Sequence, residues 1–208
     1  MSESKANTAK ALARVEAGQP LSDEPAIVRA GPLAAFAPGP HANALRGVLA
    51  GEHGGAISGD DALARMLEAD LAQLGPGDVW TLLAYADPTR EERAVLEAIR
   101  RTVRDHARVA TTLGLGPRYL HSTGQLHKGG PPRQAFLVLT FETLEDCPVP
   151  GMPWSFGVLC DAQAAGDVEA LAAHRRRVVR LHLEGPRGAA LLALAGVLER
   201  AATARTTA

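Results

Sequence analysis

From residue 60 onward, the apolar positions fall into two alternating periods. Leu63, Met66, Leu67, Leu71 and Leu74 recur at helical spacing behind Asp60 and Asp61, either of which can cap a helix, and Gly75-Pro76-Gly77 stops it. Residues 79–85 are a short apolar run bounded by turn residues, the pattern of a buried strand. Asp87-Pro88 places a capping Asp before a Pro at the first helical position and predicts a helix to about Arg108, with Val95, Ile99 and Val103 on one face. Residues 109–115 read as a second strand, 136–141 as a third and 178–183 as a fourth. The nearly continuous apolar character of 136–141 predicts cover on both faces, as in a parallel sheet. A helix is expected over 155–176, with a break at Gly166-Asp167, and another after Gly185-Pro186 carrying Leu191, Leu194, Val197 and Leu198.

The first 59 residues lack this clarity. Residues 3–17 fit a short helix with Leu12 and Val15 as its large apolar residues, and 41–50 fit another. Between and after them, Pro20, Pro25, Pro32, Pro38, Pro40 and Gly54-Gly55 punctuate the chain, which predicts an irregular or partly helical N-terminal arm over 1–59. The small apolar run 30–36 suits an arm that docks on a partner or covers an exposed sheet face. For residues 60–208, strand–helix alternation predicts an α/β fold, a three-layer sandwich with a mainly parallel sheet. Ligands of such sheets sit beyond the carboxyl ends of the strands.

Composition narrows the function classes. With 208 residues, 46% hydrophobic, 22% charged and a formal net charge of -1, the chain suits one globular domain and lacks the positive field of a non-specific nucleic-acid binder. Cys147 and Cys160, without a CxxC motif, suggest neither a zinc site nor a disulfide scaffold, so no metal is expected. No apolar run approaches the roughly 20 residues of a membrane span. The start, Met1-Ser-Glu-Ser-Lys5, lacks the basic-then-apolar order of a signal peptide, so a cytoplasmic location is expected. Lysine is scarce, at Lys5, Lys10 and Lys128, while arginine is abundant.

The third lysine stands in the segment richest in reactive groups. Residues 116–133 follow a predicted strand and hold Arg118, His121, Ser122, Thr123, Gly124, Gln125, His127 and Lys128 among glycines that let backbone N–H groups approach a ligand. Arg118 and Lys128 suit a phosphate or carboxylate, and His127 or His121 suits proton transfer near neutral pH. The segment is not a P-loop, because Lys128 is followed by Gly129. Gly114-Leu-Gly116 lacks the third glycine of a dinucleotide fingerprint, and no cofactor is expected. His41, His53, His106, His174 and His182 have no such companions and read as structural or exposed, and Arg175-Arg176-Arg177 reads as a solvated helix end.

The run from Ala110-Thr-Thr through Gly116-Pro-Arg-Tyr-Leu-His-Ser-Thr-Gly-Gln-Leu-His-Lys-Gly-Gly-Pro131 resembles the isomerase part of bacterial transaldolase/glucose-6-phosphate isomerase fusion proteins. Pro148-Val-Pro-Gly-Met-Pro-Trp-Ser-Phe-Gly157 and Gln163-Ala-Ala-Gly-Asp167 extend the resemblance, as does 176–182. It implies a sugar isomerase (SIS) domain, the C-terminal SIS lobe of that enzyme, acting between glucose 6-phosphate and fructose 6-phosphate. His127 is then the candidate ring-opening histidine, with His121 second and Lys128 beside them. Arg118, Ser122, Thr123, Gly124 and Gln125 become substrate-binding candidates. The chain departs from the family in holding one lobe, no segment like that carrying the catalytic glutamate, and no lysine after Lys128. Two expectations follow. In one, the lobe joins an aldose–ketose isomerase site completed by a second copy, a transaldolase or a first SIS lobe. In the other, it is a non-catalytic sugar-phosphate-binding or assembly module.

Overall fold

The computed structural model describes residues 2–50 and 59–203; His53 and Gly54-Gly55 lie outside the described residues. Six strands form one sheet: β1 (Val28–Ala30), β2 (Leu33–Phe36), β3 (Val79–Ala84), β4 (Ala110–Leu115), β5 (Gln134–Phe141) and β6 (Arg177–Leu183). Their spatial order is β1-β2-β6-β5-β3-β4. The four strands β6, β5, β3 and β4 run parallel, as the continuous apolar runs predict, and β1 and β2 add an antiparallel edge.

Helices cover both faces, giving a three-layer α/β sandwich. Trp80, Leu82, Leu137, Leu139, Val179 and Leu181 point to one side. There they pack on α3 (Gly59–Leu71), α4 (Arg90–Ala107) and α7 (Arg187–Thr203), with α2 (Gly39–Ala50) adding Leu45. Leu83, Phe136, Val138 and Val178 point to the other side, against Ala164, Val168 and Leu171 of α6 (Phe156–Ala173). The period-2 alternation of each strand thus feeds two separate cores.

The start of α4 differs from expectation. Thr89 caps it, accepting from the Glu92 backbone N–H while the Glu92 side chain accepts from the Thr89 N–H. That capping box satisfies two donors at once, which an Asp87 cap would not. α6 runs unbroken through Gly166-Asp167. At Gly166 a Cβ would stand 2.8 Å from the Thr8 backbone nitrogen of α1 (Ser2–Glu16), so the glycine admits a second helix rather than ending the first. Asn7 Nδ2 donates to the Gly166 carbonyl at 3.3 Å.

The N-terminal region is more regular than the expected arm. β1 and β2 form a hairpin through Gly31-Pro32, with Gly31 at φ 52°, and β2 pairs with β6 from Leu33↔Leu183 to Phe36↔Arg180. Ala34, Ala35 and Ala37 are buried. Prolines and glycines bound these short elements instead of interrupting them, which is why composition alone suggested irregular chain. Among the described residues, no helix is long and apolar enough to cross a membrane.

Candidate functional site

The segment after β4 folds into a 3₁₀ turn (Arg118–His121) and a short helix, α5 (Gly124–Gly129), before β5 begins. It leaves the carboxyl end of β4, where an open α/β sheet presents its ligands. Gly116 allows this exit, because a Cβ there would stand 2.8–2.9 Å from the Tyr85 ring.

Beneath the segment lies a buried polar network. Tyr85 and Tyr119 hydroxyls meet at 2.9 Å, the Tyr119 hydroxyl donates to Asp167 Oδ2, and Lys128 Nζ donates to Asp167 Oδ1. Ser4 of α1 donates to the same carboxylate at 3.5 Å. Burial holds both tyrosines well above their ordinary pKa, so they stay protonated donors. A buried charge pair supplied with further hydrogen bonds is tolerable, and Lys128–Asp167 has that form.

His127 faces inward, only 5% exposed. Its ring centroid lies 5.5 Å from that of Tyr119 and 5.2 Å from that of Phe136. Nδ1 is buried with no hydrogen-bond partner among the described residues. Burial pushes its pKa down to about 4; Lys128 and Arg176 add to the drop and Asp167 opposes it. The imidazole is therefore neutral near pH 7 and packs as an aromatic ring. Arg176 is buried too, against the expectation of a solvated helix end. Its guanidinium donates to the carbonyls of Lys128, Gly130 and Pro131 at 2.6–2.7 Å and fixes the end of the segment.

Arg118, His121, Ser122, Thr123 and Gln125 reach the surface to differing degrees, while Gly124 is buried. His121, Gln125 and Lys128 line one groove of about 260 Å³ against α1, which brings Ser4, Lys5 and Thr8. Thus two of the three lysines meet at one groove. Composition marked Lys128, but Lys5 lay in the expected arm, and no local pattern joins it to so distant a segment. Asp167 was missed as well; its signal was a charged residue inside an apolar, alanine-rich helix. Among the described residues, no group of three or more His, Cys, Asp or Glu is placed to hold a metal ion.

No known family model matches the chain, and no curated protein does. The fold is similar to a solved structure, the hypothetical protein TT0462 from Thermus thermophilus, with a TM-score of 0.55 and 20% sequence identity. The match covers 80% of this chain and 44% of that one, so the chain spans under half of that protein's length. At this identity the likeness shows the α/β fold.

Proposed function

We propose that this chain is one lobe of an aldose–ketose sugar-phosphate isomerase, with glucose 6-phosphate and fructose 6-phosphate as its substrate class. The observation that carries the proposal is the groove beside the β4 exit, where His121, Gln125, Lys5 and Lys128 converge. The Lys5 ammonium favours a phosphorylated ligand, and an exposed imidazole suits the proton transfers of ring opening. In this arrangement His121 takes the proton-transfer role, and Lys128 contributes from its fixed position on Asp167. His127 supports the segment from the core. Arg118, Ser122 and Thr123 stand on the same segment for contact with the sugar or with a partner chain.

No Asp or Glu lines the groove among the described residues. The proposal assigns the carboxylate that moves a proton between C2 and C1 to a second chain: another copy, a transaldolase or a first SIS lobe. The same observation favours a second reading, a sugar-phosphate-binding module without turnover. A coupled assay of fructose 6-phosphate conversion, with the pure chain alone and mixed with each partner, separates the two. We expect little turnover alone, turnover with the completing partner, and at least about a hundredfold loss in His121→Ala. Glucose 6-phosphate binding without turnover in any mixture selects the binding module. A chain that neither binds nor converts glucose 6-phosphate overturns both.

A further inference from the structure

On the other side of α1 lies a larger cavity of about 630 Å³, which shares no lining residue with the groove. Its floor is the sheet face bearing Phe36, Thr140, Arg180 and His182, over the carboxyl halves of β5 and β6. Its walls are α1, α6 and residues 21–24. The volume is in the range of small-molecule sites.

Three charged side chains here are largely withdrawn from water and make no hydrogen bond to any described residue: Arg180, Glu24 and Asp161. The Arg180 side chain is 17% exposed. Its guanidinium carbon sits 3.9 Å from the centre of the Phe36 ring, and its nearest carboxylate, Glu24, is 4.0 Å away. Burial lowers the Arg180 pKa and raises that of Glu24. Asp161 has no ion pair among the described residues. Burial raises its pKa to about 6, Arg180 opposing the rise and Asp146 adding to it. None of their polar atoms is sealed inside the protein, since among the described residues the buried unpaired side-chain atoms are His127 Nδ1 and Arg176 Nε. These three face a cavity, where a ligand can pair with them.

Charge decides the ligand class. Lys10 is paired with Glu169 at 3.0 Å, and Arg14 with Asp23 at 2.6 Å. Glu24 answers Arg180, and Asp161 is left over. His182, whose pKa burial lowers, is neutral near pH 7 and exchanges a hydrogen bond with Thr140 at 3.0 Å. The cavity thus carries one excess negative charge, which repels a phosphate and attracts a cation. The guanidinium, the carboxylates and the Thr140–His182 pair together call for groups that both donate and accept, as hydroxyls do.

We propose that this cavity binds a small amine-bearing polyol, its ammonium on Asp161 and its hydroxyls bridging Glu24, Arg180 and the Thr140–His182 pair. The site is distinct from the sugar-phosphate groove and does not depend on it.

Calorimetry on the full chain at about pH 7 tests this with glucosamine as the probe and glucose as its uncharged counterpart. The expected result is saturable one-to-one binding of glucosamine, at least about tenfold tighter than glucose and not displaced by glucose 6-phosphate. Asp161→Asn, which keeps shape and removes charge, weakens it at least about tenfold, and so does lowering the pH to about 5, where Asp161 takes up its proton. If that variant fails to fold, Glu24→Gln serves, with a loss of at least about fivefold expected. His121→Ala, in the separate groove, leaves glucosamine binding unchanged. Absence of binding, equal binding of glucose, displacement by glucose 6-phosphate, or a folded Asp161→Asn or Glu24→Gln variant that binds like the parent chain each overturns the proposal.

Discussion

Two charged clusters flank α1, and they differ in how their charges are satisfied. On one side, Asp167 takes direct hydrogen bonds from Tyr119, Lys128 and Ser4. On the other, the side chains of Arg180, Glu24 and Asp161 surround a cavity and have no hydrogen-bonding partner among the described residues. Both clusters stand on the same sheet face and both lean on α6. The first is closed and serves as scaffold, holding the segment that presents His121. The second is open, and its charged groups line the cavity of the proposed site. Charge alone does not separate the two cases; direct side-chain hydrogen bonds do.

The sharpest way to break this contrast is Asp167→Ala. It leaves the Lys128 ammonium and the Tyr119 hydroxyl buried without that partner, and the expected cost is about 3–5 kcal/mol in urea denaturation. A cost below about 1 kcal/mol would show that the network is not closed. Next in size is Arg176→Ala, which frees three carbonyls at once; a loss of about 2–3 kcal/mol is expected by the same measurement.

His127→Phe tests the aromatic role, with a change within about 1 kcal/mol at pH 7, because Nδ1 makes no hydrogen bond to any described residue. Its pH signature is more telling. The folded pKa of about 4 lies below the ordinary value of 6.5, so the unfolded chain binds the proton more tightly. The stability that neutral His127 allows is complete above pH 6.5 and falls away as the pH drops toward 4. Thermal melts of His127→Phe should lack that part of the decline.

The smallest effect belongs to Asp161→Asn. The folded pKa of about 6 lies above the ordinary 3.8, so Asp161 disfavours folding increasingly between pH 3.8 and 6 and fully above it. Removing the charge should stabilise the unliganded chain by up to about 1 kcal/mol near pH 7.5. The same substitution at a closed cluster would destabilise, so the sign of the effect distinguishes the two regions.

Much of the sandwich was legible along the chain. The four parallel strands lie within two residues of their expected bounds, and the helices that cover them follow the apolar spacing. The polar segment 116–133 was legible as a concentration of reactive side chains, but not which of them face outward. His121 and His127 are six residues apart in similar surroundings, yet the 3₁₀ turn exposes one and α5 buries the other against Phe136. In β6, Arg180 and His182 share a face by strict alternation, a signal that the apolar neighbours Val179 and Leu181 masked.

The sequence by itself determined the layers, since the period of apolar residues states which face of each element is buried, and that is a local property. It determined the position of the reactive segment for the same reason. Only the tertiary structure decided that β1 and β2 join the sheet, that Lys128 meets Asp167 and that Lys5 lines one groove with His121. It also decided that Asp161 stands near Arg180 without a hydrogen bond to any described residue. These are pairings between distant segments, and the packing of α1 on α6 is what brings Lys5 to the groove. A single charged residue carries no record of which opposite charge will face it, and the fold supplies that choice.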